Sequence, residues 1–173
     1  MKKTTTMSAV AILLTLLLGL SFEGLEAQSA SATRSVEIER ADLLAQHGRQ
    51  LAKFRLDFAE ASRYLREAAE LRGNDPTAVK ELVEAGHLAY YGGERLTSMM
   101  VLATAGDVAV KTGDAEAAAE AFRDAAWVAA EAGRREVARD YLLRGESLVR
   151  SGQVAAADWT SLLEEDGIPV AGS

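Results

Sequence analysis

The sequence predicts an all-α protein in which about six or seven helices form a stack of antiparallel hairpins. Glycines recur every 20 residues, at Gly73, Gly93, Gly113 and Gly133, and then one residue early at Gly152. Only two of the 173 residues are proline, and alanine is abundant, which favours helix. No stretch shows the alternation of apolar and polar residues that is typical of a strand. Each 20-residue unit therefore predicts one helix and one turn.

Residues 1–27 have the layout of a secretory signal peptide. Lys2 and Lys3 precede an uncharged run over residues 9–20, and the segment turns polar and small up to Ala27. The run is shorter than the about 20 residues that a bilayer span requires. We therefore expect export to the periplasm or exterior of a bacterium, with cleavage after Ala27 or Ala32. Retention as an N-terminal anchor is the alternative.

The helices are predicted in order from their caps and breaks. Residues 28–35 are small and polar and predict a flexible leader, followed by a helical repeat domain over 36–153. Asp57 with Glu60 has the capping-box pattern that begins a second helix, and Pro76 suits the first position of a third. The remaining helices are predicted over residues 95–111, 115–132, 135–150 and 154–166. The last of these would cap the stack, and residues 167–173 would form a tail.

Columns of residues counted from each glycine support the repeat. Small residues stand five, twelve, thirteen and sixteen positions after the glycine, although the unit after Gly133 has Glu146 and Val149 at the last two of these positions. Large apolar residues stand nine positions after it: Leu82, Leu102, Phe122 and Leu142. Small residues let neighbouring helix backbones approach, and the large residue fills the gap between them. The columns therefore predict helices that pack closely against one another.

Residues 105–132, AGDVAVKTGDAEAAAEAFRDAAWVAAEA, resemble a tetratricopeptide repeat. Gly106 lies in its small pair, Gly113 in its turn, and Phe122 in the signature of its second helix. The resemblance weakens over residues 36–72, and the 20-residue beat differs from the family's 34-residue period of two unlike helices. It implies a short right-handed α-solenoid with a concave surface lined by the first helix of each hairpin. Either helices four and five form a pair, or Pro76 separates hairpins one–two, three–four and five–six.

Polar stripes on the third and fifth helices supply the candidate binding residues. Trp127 stands among charged residues on the fifth helix, and Tyr91 ends the stripe of the third. Tryptophan and tyrosine are enriched in binding hot spots, where truncating one costs about 2 kcal/mol or more. The alternative is that both rings pack on a neighbouring helix or loop. The candidate partner-binding residues are Lys80, Glu84, His87, Tyr91, Arg123 and Trp127.

Motifs for catalysis, cofactors and metals were sought without success. Glu84 and His87 form one E-x-x-H pair, whereas a di-iron site needs two, and His47 lacks the matching glutamate. Neither a glycine-rich phosphate loop nor a nucleophile elbow occurs. The chain has no cysteine, which excludes disulfides, thiolate chemistry and a lipoprotein anchor. We therefore expect no enzyme activity, no cofactor and no metal.

The net charge of −7 argues against a nucleic-acid partner and favours a protein or peptide with basic patches. Together these features predict an exported adaptor or scaffold that binds a partner's peptide or helix on its concave face. Two alternatives stay open: a compact bundle that holds a small apolar ligand or lipid, and an assembly factor anchored by its N-terminus. Apolar helix four is the main support for the bundle. Self-association through the repeat edges also stays open.

Overall fold

Helices joined by short turns make up the part of the chain that the structure, a computed structural model, describes: residues 30–155. The chain divides into two units, Met1–Glu39 and Arg40–Ser173. In the first unit residues 30–39 are described, and they are helical. In the second unit we call residues 40–50 helix α1, which continues into a π-helical turn over Leu51–Arg55. No strand occurs among the described residues.

Five α-helices follow α1, and their bounds agree with the prediction to within one residue at nearly every end. They are α2 (Phe58–Arg72), α3 (Pro76–Tyr91), α4 (Arg95–Thr112), α5 (Ala115–Glu131) and α6 (Arg135–Arg150). The predicted all-helical class is thus confirmed for residues 30–155.

Two predictions at the ends of the helical domain need correction. Residues 30–35 are helical rather than a flexible leader, because alanines favour helix and Arg34 pairs with Glu37 one turn ahead at 3.4 Å. Val154, predicted to begin a seventh helix, lies in a bend and is buried against the end of α6, where its N–H donates to the Leu148 carbonyl at 3.3 Å. The predicted signal peptide 1–27, residues 156–166 of the cap and the tail 167–173 lie outside the described residues.

The predicted glycine beat corresponds to the turns between helices. All five glycines of the series have positive φ, between 65° and 81°. This left-handed conformation ends a helix at little steric cost when the residue is glycine. At Gly113, for example, the next N–H, that of Asp114, reaches back to the Ala109 carbonyl at 2.9 Å. The same Asp114 then caps α5 by accepting from the Ala117 N–H at 3.1 Å.

Each helix packs mainly on the helices directly before and after it, through the predicted columns. The Phe122 ring of α5 lies against the backbone of α4 at Gly106, where a Cβ atom would stand only 2.4 Å from Cε1 of the ring. Leu102 of α4 covers Gly86 of α3 in the same way, with a built Cβ 2.5 Å from its Cγ. The small and large columns therefore interlock as the sequence predicted.

Polar pairs also join helices that are two apart in the chain. The pairs are Arg49 with Glu84, His87 with Asp124, and Arg144 with Asp107. They connect α1 to α3, α3 to α5, and α4 to α6. The odd-numbered helices are thereby linked along one series of contacts, which positions the stripes of α3 and α5 next to each other.

Candidate partner-binding cleft

A cleft of about 270 Å³ lies between the second halves of α3 and α5, over α4. Its lining residues are His87, Tyr90, Tyr91, Leu102, Arg123, Asp124, Trp127 and Val128. Four of the six predicted site residues therefore meet here, from stripes about 36 positions apart in sequence. They meet because positions 87 and 91 of α3, like 123 and 127 of α5, are one helical turn apart and share a face.

The other two predicted residues lie outside the cleft. Lys80 is exposed, two turns before His87 on α3. Glu84 faces α1 instead, where its carboxylate pairs with Arg49 at 2.9 Å. Glu84 therefore helps to hold α1 against α3.

Asp124 is the centre of the polar wall. Its Oδ2 lies 2.9 Å from His87 Nε2, and its Oδ1 accepts from Arg123 Nε at 2.9 Å and Nη2 at 2.7 Å. Burial acts to raise the pKa of the Asp124 carboxyl, but the hydrogen bonds from His87 and Arg123 outweigh it and the net pKa lies below the ordinary value. Asp124 is therefore ionised at neutral pH. Since an ionised carboxylate only accepts, His87 Nε2 carries the proton.

Aromatic rings form the other wall. The Tyr90 and Trp127 ring centroids are 4.9 Å apart at 52°, which ties the end of α3 to α5. Tyr91 extends this wall, 5.9 Å from Tyr90 and 6.1 Å from Phe58. Tyr91 is 68% exposed, whereas Trp127 is half-buried against the core. Trp127 thus packs on a neighbouring helix and also presents an edge to the cleft.

Sequence reasoning missed Asp124 and placed Tyr90 in the core, although Tyr90 is half-buried and lines the cleft. A signal for Asp124 was present in the repeat. Asp124 stands eleven positions after Gly113, and His87 stands fourteen after Gly73. Arg144 and Asp107 occupy the same two columns of the following units and also pair. Opposite charges in these columns, two units apart, would have indicated both contacts.

The cleft offers recognition rather than reaction chemistry. It combines aromatic surface, an apolar floor at Leu102 and one ionised carboxylate already bonded to two donors. In residues 30–155 no group of three or more His, Cys, Asp or Glu residues is arranged to hold a metal ion. Nor is any helix of that range both long enough and apolar enough to cross a membrane.

Comparison with known proteins adds no relative. No protein-family model, no curated protein and no solved structure matches the chain. The likeness of residues 105–132 to a tetratricopeptide repeat therefore stays a resemblance.

Proposed function

We propose that the protein is an adaptor that binds a helix or peptide of a partner protein in the cleft between α3 and α5. The observation that carries this proposal is the meeting of His87, Tyr91, Arg123 and Trp127 around one opening. Exposed aromatic rings beside an apolar floor, with charged groups at the edge, are the usual composition of a protein-binding hot spot.

The pattern of helix contacts supports a tetratricopeptide-like solenoid as the scaffold. Each helix packs on its chain neighbours, and polar pairs recur between helices two apart. Both features are expected when hairpins α1–α2, α3–α4 and α5–α6 stack in a right-handed array. The odd-numbered helices would then line the concave surface, and the cleft would lie on it.

The charges around the cleft favour a partner with basic residues. Glu120 and Glu131 are exposed on α5, one turn before and one turn after the pair Asp124 and Trp127. Glu94 is exposed beside the turn that follows Tyr91. We therefore infer a partner segment that inserts an apolar side chain between Tyr91 and Trp127 and carries Lys or Arg on either side.

Export is part of the proposal, and it depends on residues 1–27. Their basic start, apolar run and small residues are those of a secretory signal. An uncleaved N-terminus would make the same adaptor a membrane-anchored assembly factor. The mass of the mature chain purified from the envelope decides between the two.

Site-specific crosslinking tests the proposal. A photoreactive amino acid replaces either Tyr91 in the cleft or Leu143, which is 42% exposed on α6, and the full chain is irradiated in its native envelope fraction. We expect a partner segment with apolar and basic residues to be captured from position 91 and not from 143. Equal capture at both positions would contradict the proposal.

The captured segment is then synthesised and titrated onto the purified chain. Replacing Trp159 by Phe leaves Trp127 as the single fluorescent tryptophan, because the chain has two. Tyr91→Ala should weaken binding at least about tenfold, since hot-spot residues contribute about 2 kcal/mol. Trp127→Ala, followed by anisotropy of a labelled peptide, should weaken it further with the helical signal retained. Unchanged affinity in both folded variants would exclude the cleft.

A further inference from the structure

A second groove, of about 350 Å³, lies between α2 and α4 and is separate from the α3–α5 cleft. Its wall is mainly aliphatic, from Ala69, Leu82, Val101 and Val108, and Met100 stands at the opening, 61% exposed. This volume is at the lower end of the about 300–1,000 Å³ that small-molecule sites occupy. The groove can therefore accommodate one small apolar group.

Arg66 provides the groove with an uncompensated positive charge. It projects from α2 into the lining and is only partly exposed. Its Nε is shielded from water and has no hydrogen-bond partner, and no carboxylate of residues 30–155 lies within ion-pair distance of its guanidinium. Glu70, one turn further along α2, lies exposed at the rim without reaching it. A partly desolvated cation without a counter-charge is unfavourable, and a guanidinium pairs best with a planar carboxylate.

We propose that this groove binds a medium-chain fatty acid, with its carboxylate on Arg66 and its alkyl chain on the wall formed by Ala69, Val101 and Val108. The volume fits a single short chain rather than a two-chain lipid. A peptide is disfavoured because its backbone N–H and C=O groups need partners, and the helical walls have already paired theirs. An alkyl chain has no such groups. The site is independent of the adaptor function proposed for the α3–α5 cleft.

Titration of the delipidated full chain with dodecanoate, below its micelle concentration, tests the site by calorimetry. We expect saturable binding of one dodecanoate, and at least about tenfold weaker binding of dodecanol and dodecyltrimethylammonium, which lack the carboxylate. Arg66→Gln should weaken dodecanoate binding by a similar factor. Arg63→Gln is the matched control, because Arg63 is exposed on the same helix and pairs with Glu60.

A second variant tests the position of the alkyl chain. Thr104 is exposed and lines the groove, so Thr104→Phe should fill it without disturbing the core, and should abolish dodecanoate binding. The proposal is overturned if dodecanol binds as tightly as dodecanoate, if Arg66→Gln and Arg63→Gln behave alike, or if folded Thr104→Phe binds normally. It is equally overturned if no dodecanoate binds, or if the groove instead captures an acidic peptide.

Discussion

Replacing Gly106 by alanine tests the close packing on which the fold depends. The added Cβ would stand 2.4, 2.7 and 2.8 Å from three atoms of the Phe122 ring, closer than carbon atoms approach in folded proteins. Phe122 is 2% exposed and lies in the core, so its ring has little room to retreat. The substitution must therefore push α4 and α5 apart or force the ring off its rotamer.

The expected cost follows from two opposing terms. Overpacking of a close-packed core costs about 1–3 kcal/mol. Alanine returns about 1 kcal/mol, because it is a better helix former than glycine. Since the contact falls on a rigid ring rather than on a flexible side-chain end, we expect Gly106→Ala to lower the free energy of unfolding by about 1–2 kcal/mol. This corresponds to a fall of about 4–8 °C in Tm for a domain of this size.

Urea denaturation of the purified chain, followed by circular dichroism, measures this cost. Phe122→Leu, made alone and together with Gly106→Ala, completes a double-mutant cycle. We expect the cost of Gly106→Ala to fall by about 1 kcal/mol when it is made in the Phe122→Leu variant, because the groups in contact then interact less. A stabilised Gly106→Ala variant, or an equal cost in both backgrounds, would refute the reasoning.

Three further predictions concern buried polar groups. Ser62→Ala should destabilise the fold by about 1–2 kcal/mol, because its hydroxyl donates 2.7 Å to a carbonyl of α3, whereas Ser98→Ala should stabilise it by about 1 kcal/mol, because that hydroxyl has no partner. The same sign in both urea titrations would contradict this. Arg72→Met should cost about 3–5 kcal/mol by leaving Glu81 buried and unpaired, and adding Glu81→Leu should restore most of it; an unrepaired double variant would argue otherwise. Asp124 has a lowered pKa in the folded chain, so its stabilising contribution is present above about pH 5 and is lost as the pH falls through the folded-state pKa. The stability of Asp124→Asn should accordingly depend less on pH between about 5 and 3 than that of the parent chain.

The turns and the helix faces could be predicted from sequence because local rules determine them. A glycine that must adopt positive φ has few substitutes, and so Gly113 and its equivalents mark every turn of the later helices. A residue that covers a glycine of the next helix must be large, and so Phe122 and Leu102 were recognised as packing residues. Each of these inferences needs only the spacing within one unit or between neighbouring units.

The ends of the helical domain depended on weaker signals. Residues 30–35 contain serine and threonine, which suggested a leader, but their alanines and the pair of Arg34 with Glu37 allow helix to form. At the other end, apolar Val154 suggested a new helix. It is instead buried on α6, because the turn at Gly152 brings it back to Leu148. Apolar character alone does not say which element a residue will pack against.

The cleft could be predicted only in part, because its contacts join helices two apart in the chain. The packing columns repeat every 20 residues since each helix meets its neighbours in the same way. The polar columns follow a 40-residue period: His87 pairs with Asp124, and Asp107 pairs with Arg144 with the charges reversed. A residue eleven positions after one glycine thus contacts the residue fourteen positions after the glycine two units earlier. Residues that depart from the 20-residue pattern, such as Trp127 in the column of His87, distinguish one helix surface from another. These departures, rather than the repeat, are where we expect binding specificity to reside.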